Sequence, residues 1–158
     1  MKRLKTVTVP LLLAAVLLFS GCAAGNEAAY SIEDAQTLLD AGVFDGEMAP
    51  LNVSGSIIAS IYGIGEDTLV EFASYHAMNS SVSADEVTVF VLTGAEAAQA
   101  AEAAFQTYVA HQAETCRNYC PAALPRLDAA VIRRSGSTVL LAVGDPDLLP
   151  GEVNALHK

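Results

Sequence analysis

The sequence predicts an α+β fold in which an antiparallel sheet of about four strands carries one long helix on a face, with short helices at its N-terminal end. Two strand-like segments precede a long amphipathic helical segment and two more follow it, which gives the order β-β-α-β-β. Turn residues separate these segments. Residues 31–147 are therefore predicted to form a single α+β domain, long enough to bury a core.

Two short helices are predicted before the sheet. Ser31 followed by two acidic residues is typical of a helix start, and Gly42 is typical of a helix end. A loop is expected around Pro50. In residues 54–62 the spacing of the isoleucines favours a short helix ended by Gly63, while their β-branching leaves a strand open.

Residues 68–78 and Glu86–Leu92 are predicted to be neighbouring strands. In the first segment Ser74 and His76 alternate with Tyr75. The strand period therefore places Ser74 and His76 on one face and Tyr75 on the other. The second segment is apolar on both faces, which is typical of a central strand covered on both sides.

The longest predicted helix begins at a capping-box pattern in residues 93–96 and ends near Cys120, because Pro121 cannot continue it. Its predicted inner face comprises Ala98, Ala101, Phe105, Tyr108, Val109, Gln112 and Cys116. A hairpin follows, with strands at residues 129–134 and Thr138–Val143 around the Ser135-Gly136 turn. Proline and aspartate after it predict a frayed C-terminal tail at residues 148–158.

The N-terminal residues predict export and lipid anchoring. Three basic residues precede an apolar run from 11 to 19, which is shorter than the about 20 residues that span a bilayer, so residues 1–21 are predicted to be a lipoprotein signal peptide. Residues 18–22 resemble a lipobox, with Cys22 as the lipidated residue and 22–30 as a flexible tether. Other interpretations are a secreted protein with a free cysteine, or an uncleaved anchor.

The charge balance excludes nucleic acid as a partner. The chain has 8 Lys+Arg against 18 Asp+Glu and a formal net charge of −10. Cleavage before Cys22 removes three basic residues and no acidic one, which leaves 5 against 18 and a net charge of −13. Phosphate contacts require Lys and Arg, so such a domain is not expected to bind DNA or RNA.

Cys116 and Cys120 leave two interpretations open. One helical turn separates them by about 6 Å, close to the upper end of disulfide geometry, so either a disulfide or two small buried thiols is compatible with the spacing. A thioredoxin-like C-x-x-C motif is absent from the sequence. His111 diverges from Cys116 around the helix, and neither a metal site nor a cofactor is predicted.

No catalytic residues are predicted. Ser74, His76 and the many acids do not make a triad without the G-x-S-x-G strand–turn–helix context. Paired acids such as Asp85 and Glu86 are explained by solvated turns and caps. The predicted binding surface is the sheet face away from the long helix, with Tyr75 and His76 exposed on it.

The order of several short motifs resembles the small bacterial lipoproteins of domain of unknown function 4358. The motifs are Ile61-Tyr62-Gly63-Ile64, Ala84-Asp85-Glu86-Val87, Tyr119-Cys120-Pro121, Leu127, Ala129-Ala130-Val131-Ile132, Gly136, Leu141-Ala142-Val143 and Asp145. The resemblance implies a lipid-anchored domain on the outer face of the cytoplasmic membrane, mostly in Gram-positive-type bacteria. It favours a helix at residues 54–62 and implies no activity or functional residue.

The sequence therefore predicts a non-enzymatic module, anchored to the membrane through Cys22, that binds an envelope protein or a small ligand. The alternative is an envelope hydrolase or a thiol-redox accessory protein. The alternative requires a concave site that joins His76 or the pair Cys116 and Cys120 to an acid with a strongly perturbed pKa.

Overall fold

The computed structural model describes residues 29–79 and 83–156. The predicted signal peptide (1–21), the lipidation site Cys22 and most of the tether lie outside the described residues. In chain order the elements are α1 (Ile32–Asp40), β1 (Met48–Pro50), α2 (Gly55–Tyr62), β2 (Leu69–Ala77), β3 (Glu86–Leu92), α3 (Ala95–Tyr119), α4 (Leu124–Asp128), β4 (Val131–Ser135), β5 (Thr138–Val143) and α5 (Leu149–Ala155).

Among the described residues one sheet has five strands in the order β1-β2-β3-β5-β4, and each neighbouring pair is antiparallel. The four predicted strands are present, and the predicted number was wrong by one. The additional strand is β1, in which Met48 pairs with Ala77 and Pro50 with Tyr75. A segment of three residues is too short to show the two-residue alternation by which a strand is predicted. Proline is tolerated in β1 because it is an edge strand.

Helices cover both faces of the sheet. On one face α2 and α3 enclose a core that includes Ile58, Phe90 and Phe105. On the other face α1 and α5 pack on Val89 and Leu140. The prediction of an exposed sheet face away from the long helix was therefore wrong.

Residues at both ends of the predicted domain belong to the core. Tyr30, predicted as the end of the tether, is 7% exposed, and its backbone N–H donates to Thr138 Oγ1 at 2.9 Å. The predicted frayed tail contains α5, where Leu149 and Val153 are buried. Pro150 does not break this helix because it stands in the first turn, where its missing N–H has no intrahelical partner to lose.

Local signals explain where the other helices begin and end. Residues 54–62 contain α2, a helix as predicted, which ends where Gly63 adopts a left-handed φ of 73°. The predicted capping box at Thr93 does not form, since Gly94 is the N-cap of α3 and supplies no side-chain hydrogen bond. Within the described residues, no helix is both long enough and apolar enough to cross a membrane.

Candidate functional site

A cavity of about 210 Å³ lies between the sheet and the C-terminal half of α3. Its lining includes His76, Asp85, Glu86, Tyr108, Gln112, Cys116, Tyr119 and Cys120. Most of these residues are polar or ionisable, in a domain whose sheet faces are otherwise built from aliphatic and aromatic side chains. The cavity and the polar side chains behind it are the candidate functional site.

The antiparallel register of β2 and β3 brings four polar side chains together behind this cavity. His76 pairs with Glu86 and Ser74 pairs with Thr88, so the four side chains share the face that α3 covers. Ser74 Oγ lies 2.8 Å from Thr88 Oγ1 and 3.0 Å from His76 Nε2. Tyr62, the last residue of α2, completes this polar cluster, because its hydroxyl lies 2.8 Å from Thr88 Oγ1.

Glu86 is the centre of the polar cluster and is only 4% exposed. The Tyr62 hydroxyl donates to Glu86 Oε1 at 2.5 Å. The Tyr108 hydroxyl donates to Oε2 at 3.0 Å and itself accepts from Gln112 Nε2 at 3.0 Å. Both carboxyl oxygens of Glu86 are therefore hydrogen-bonded, as a buried carboxyl group requires.

Burial changes the acidity of these groups. Loss of hydration raises the pKa of Glu86 above its ordinary value of 4.5, although His76 and the tyrosine hydroxyls oppose the increase. Burial, together with the nearby Glu86 charge, raises the pKa of Tyr62 and of Tyr108 as well. The two tyrosines therefore remain protonated donors to Glu86.

Ser74, His76 and Glu86 lie next to one another in the order of a hydrolytic triad, but the Ser74 hydroxyl is not accessible to a substrate. Ser74 is 4% exposed, and its hydroxyl is also shared with Thr88. His76 Nδ1 lies 3.7 Å from Glu86 Oε2, beyond hydrogen-bonding distance. A substrate carbonyl cannot approach the buried Ser74 hydroxyl in this arrangement.

Tyr75 and His76 do not form the predicted common surface. They are consecutive on β2 and therefore point to opposite faces of the sheet. Tyr75 is partly buried and packs against the core cluster on the face covered by α1 and α5, while the His76 side chain lines the cavity and is 31% exposed. Of the two residues, only His76 belongs to the candidate site.

Cys116 and Cys120 form a disulfide with an S–S distance of 2.22 Å and a Cα–Cα distance of 4.4 Å. Cys120 stands just past the end of α3 with φ −145°, and this departure from helical geometry brings the two residues closer than one helical turn would. Both cysteines line the cavity beside His76 and Glu86. Among the described residues no group of three or more His, Cys, Asp and Glu is arranged to hold a metal ion.

Asp85 forms a second buried acidic group at this cavity, with its side chain fully buried. Its Oδ2 accepts from the Asp45 backbone N–H at 2.6 Å and from Arg126 at 2.8 Å. Arg126 also pairs with the Asp45 carboxylate. No donor among the described residues reaches Asp85 Oδ1, although this atom is buried as well.

The interpretation of Asp85 and Glu86 as solvated turns and caps was wrong. Both side chains are buried, and the sequence contains a signal that could have shown it for Glu86. Ser74, His76, Glu86 and Thr88 recur at every second position of two adjacent strands, so they had to share one face. The helical period places Tyr108 on the predicted inner face of α3, but the contacts of Tyr62 and Tyr108 with Glu86 depend on how α2 and α3 pack.

Comparison with known proteins identifies the domain. The profile of a family described as "Domain of unknown function (DUF4358)" matches residues 45–144, which is well over half of the chain. No curated protein and no solved structure matches the chain. The matched region includes β1 to β5 with the cavity and the polar cluster, and the chain belongs to the DUF4358 family.

Proposed function

We propose that this protein is a non-enzymatic binding module, anchored through Cys22 to the outer face of the bacterial cytoplasmic membrane, and that the cavity beside Glu86 binds a small ligand. The anchor rests on the signal-peptide and lipobox pattern of residues 1–22. The single observation that supports binding is a cavity of about 210 Å³ lined by polar groups that the fold holds in place.

The rigidity of the cavity wall favours binding. Tyr108 is fixed by its bonds to Glu86 and Gln112, and the disulfide fixes the last turn of α3. A preformed site loses little conformational entropy when a ligand enters. Hydrolysis by Ser74 would instead require an accessible hydroxyl group, and Ser74 is buried.

The alternative of a thiol-redox accessory protein has one specific observation in its favour. The disulfide, His76 and the buried Glu86 line one cavity, which is the arrangement that this alternative requires. However, the cysteines lie at the C-terminal end of α3, where the helix dipole disfavours a thiolate, and the described lining of their cavity contains Asp85 and Glu86 and no lysine or arginine. We therefore place the disulfide in a structural role.

Two experiments test the proposal. Metabolic labelling with a fatty-acid analogue is expected to label the wild type and a Cys116→Ser variant but not Cys22→Ser; labelling of Cys22→Ser would contradict the anchor.

For the cavity, the full-length protein in detergent is screened by NMR for binding of small polar molecules. Saturable shifts at Tyr108 and Gln112 are expected, and a screen of broad chemistry that leaves both signals unchanged would contradict binding there.

A disulfide-exchange assay tests the redox alternative. The protein is incubated with a dithiol and a disulfide substrate, and turnover is compared with that of a Cys116→Ser, Cys120→Ser double variant. We expect equal background rates. Turnover that depends on the two cysteines would instead establish a redox function.

A further inference from the structure

We infer that Glu86 and His76 share one proton through the Tyr62 hydroxyl, so that pH sets the charge that His76 presents to the cavity. This inference rests on the proposed binding function, because it names how that site is regulated. It makes a separate claim, since the proton is shared whether or not a ligand is bound.

The first argument is the position of the Tyr62 hydroxyl between the two groups. Its oxygen lies 2.5 Å from Glu86 Oε1 and 3.2 Å from His76 Nε2. A hydroxyl group has one hydrogen to donate and two lone pairs that accept. Tyr62 can therefore donate to Glu86 while it accepts from His76 Nε2, or donate to Nε2 while it accepts from Glu86.

These two arrangements place one proton at opposite ends of the same chain of hydrogen bonds. In the first, Glu86 is a carboxylate and His76 carries a hydrogen on both ring nitrogens. In the second, Nε2 has passed its hydrogen to the Tyr62 oxygen, and the Tyr62 hydrogen has passed to Glu86 Oε1. One N–H and one O–H bond break and two O–H bonds form, so two opposite charges become two neutral groups.

The Tyr62 hydroxyl connects the two groups without itself becoming charged. Burial and the nearby Glu86 charge raise the pKa of Tyr62, which disfavours a tyrosinate. The hydroxyl therefore gives up its hydrogen to Glu86 only as it receives another from Nε2. A direct transfer between the side chains is not available, because His76 Nδ1 lies 3.7 Å from Glu86 Oε2.

The hydrogen bonds of Tyr108 favour Oε1 as the oxygen that takes the proton. Tyr108 donates to Glu86 Oε2 at 3.0 Å and accepts from Gln112 at 3.0 Å. A proton on Oε2 would have to be donated to the Tyr108 oxygen, and the Tyr108 hydrogen would then lose its acceptor. A proton on Oε1 leaves this bond in place and faces Tyr62.

The second argument is the difference in exposure between the two ends of the chain. Glu86 is 4% exposed, whereas the His76 side chain is 31% exposed and lines the cavity. A proton on Glu86 is enclosed by the fold, while a proton on His76 adds a positive charge to the cavity wall. Histidine side chains change charge at mild pH, and burial raises the pKa of Glu86 toward that range.

The surroundings of Glu86 leave His76 as its proton partner. The titratable side chains that face Glu86 from the elements packed against it are His76 on β2, Tyr62 on α2 and Tyr108 on α3. On β5 the residue opposite Glu86 is Val143, which carries no charge. The preceding residue, Asp85, is already paired with Arg126 on α4 at 2.8 Å.

The test is an NMR titration of the full-length protein in detergent between about pH 4 and 8, with no ligand present. The glutamate carboxyl groups and the histidine rings carry the isotope label. Groups that share a proton titrate in steps that belong to the pair. We expect the signals of Glu86 and His76 each to shift in the same two steps, and one independent step for each group would overturn the inference.

Two variants test the connection. His76→Gln should give a single step for Glu86 at higher pH, because the charged form of His76 opposes protonation of Glu86. His111→Gln, an exposed histidine on α3 outside the cavity, is the matched control and should leave the Glu86 signal unchanged. An unchanged Glu86 titration in His76→Gln would overturn the inference.

Tyr62→Phe removes the connecting hydroxyl and keeps the ring. The shift of the His76 signal that accompanies titration of Glu86 should then be lost, and a shift of wild-type size would overturn the role of Tyr62. The wild-type titration and His76→Gln do not depend on the folding of this variant.

The outcomes separate this inference from the proposed function, because the titration needs no ligand. Independent single steps would overturn the shared proton and leave binding in the cavity intact. A chemically broad screen without shifts at Tyr108 and Gln112 would contradict binding and leave the shared proton intact.

Discussion

Replacing Glu86 with Gln is expected to change the pH dependence of stability in a direction that burial alone determines. Glu86 is buried, and its pKa in the folded protein is raised above 4.5. Between 4.5 and the folded pKa the folded protein therefore binds more protons at this site than the unfolded chain does. The free energy of unfolding that Glu86 contributes is fully present below pH 4.5 and is lost as the pH rises through the folded pKa.

The size of this change in the free energy of unfolding follows from the same coupling between proton binding and folding. One proton changes the free energy of unfolding by at most about 1.4 kcal/mol for each pH unit between 4.5 and the folded pKa. Gln has a similar shape, accepts from Tyr62 or Tyr108 through its carbonyl oxygen, and does not titrate. The stability of Glu86→Gln relative to the wild type should therefore increase with pH between 4.5 and the folded pKa.

Urea denaturation at four pH values between 4.5 and 7.5 measures this difference. Glu114→Gln, an exposed acid on α3, is the control and should give no comparable slope. Because the His76 imidazole lies 3.7 Å from Glu86 Oε2, the measurement is repeated in a His76→Gln background to separate its contribution. A stability difference between Glu86→Gln and the wild type that is constant with pH, or that decreases as the pH rises, would refute the reasoning.

Three further predictions concern stability and are measured by the same denaturation. Tyr62→Phe should cost about 1–3 kcal/mol, because it removes a donor to the buried Glu86; an unchanged midpoint would contradict the proposed hydrogen bond. Leu149→Ala should cost about 2–5 kcal/mol, since Leu149 is fully buried, whereas a frayed tail would give no change. Reduction of the Cys116–Cys120 disulfide should cost about 2 kcal/mol or less because the loop is short, and complete unfolding on reduction would contradict this.

The parts of the fold that the sequence predicts are those with a strong local period. The alternation in Glu86–Leu92 and the spacing of Ala98, Ala101 and Phe105 each indicate an element and its buried face. The antiparallel arrangement of the sheet and the position of the long helix on one face follow from the order of the strands and the helix along the chain. Four strands were predicted because each of the four is long enough to carry its own period.

The parts that could not be predicted depend on packing partners distant in the sequence. β1 has three residues and forms because the end of β2 offers an edge to pair with. Tyr30 becomes buried because Thr138, in the last hairpin, accepts its backbone N–H. For α5, proline and glycine locally resemble a break, and the helix is stabilised by Leu149 and Val153 packing on the sheet.

The same dependence on packing explains why the burial of the two acids at the candidate site was not predicted, although His76, Cys116 and Cys120 were named as candidates. Asp85 and Glu86 resemble a solvated pair because charged residues at a strand start are usually exposed. Their burial is unfavourable, and replacing a buried ionic group with apolar residues is often neutral or stabilising, so stability alone does not account for them. The fold satisfies Glu86 with two tyrosine hydroxyls, yet Asp85 Oδ1 has no donor among the described residues. The two tyrosine hydroxyls hold the Glu86 carboxyl group in place, which is expected if Glu86 shapes the proposed binding cavity, and a loss of ligand-induced shifts at Tyr108 in Glu86→Gln is the direct test of that role.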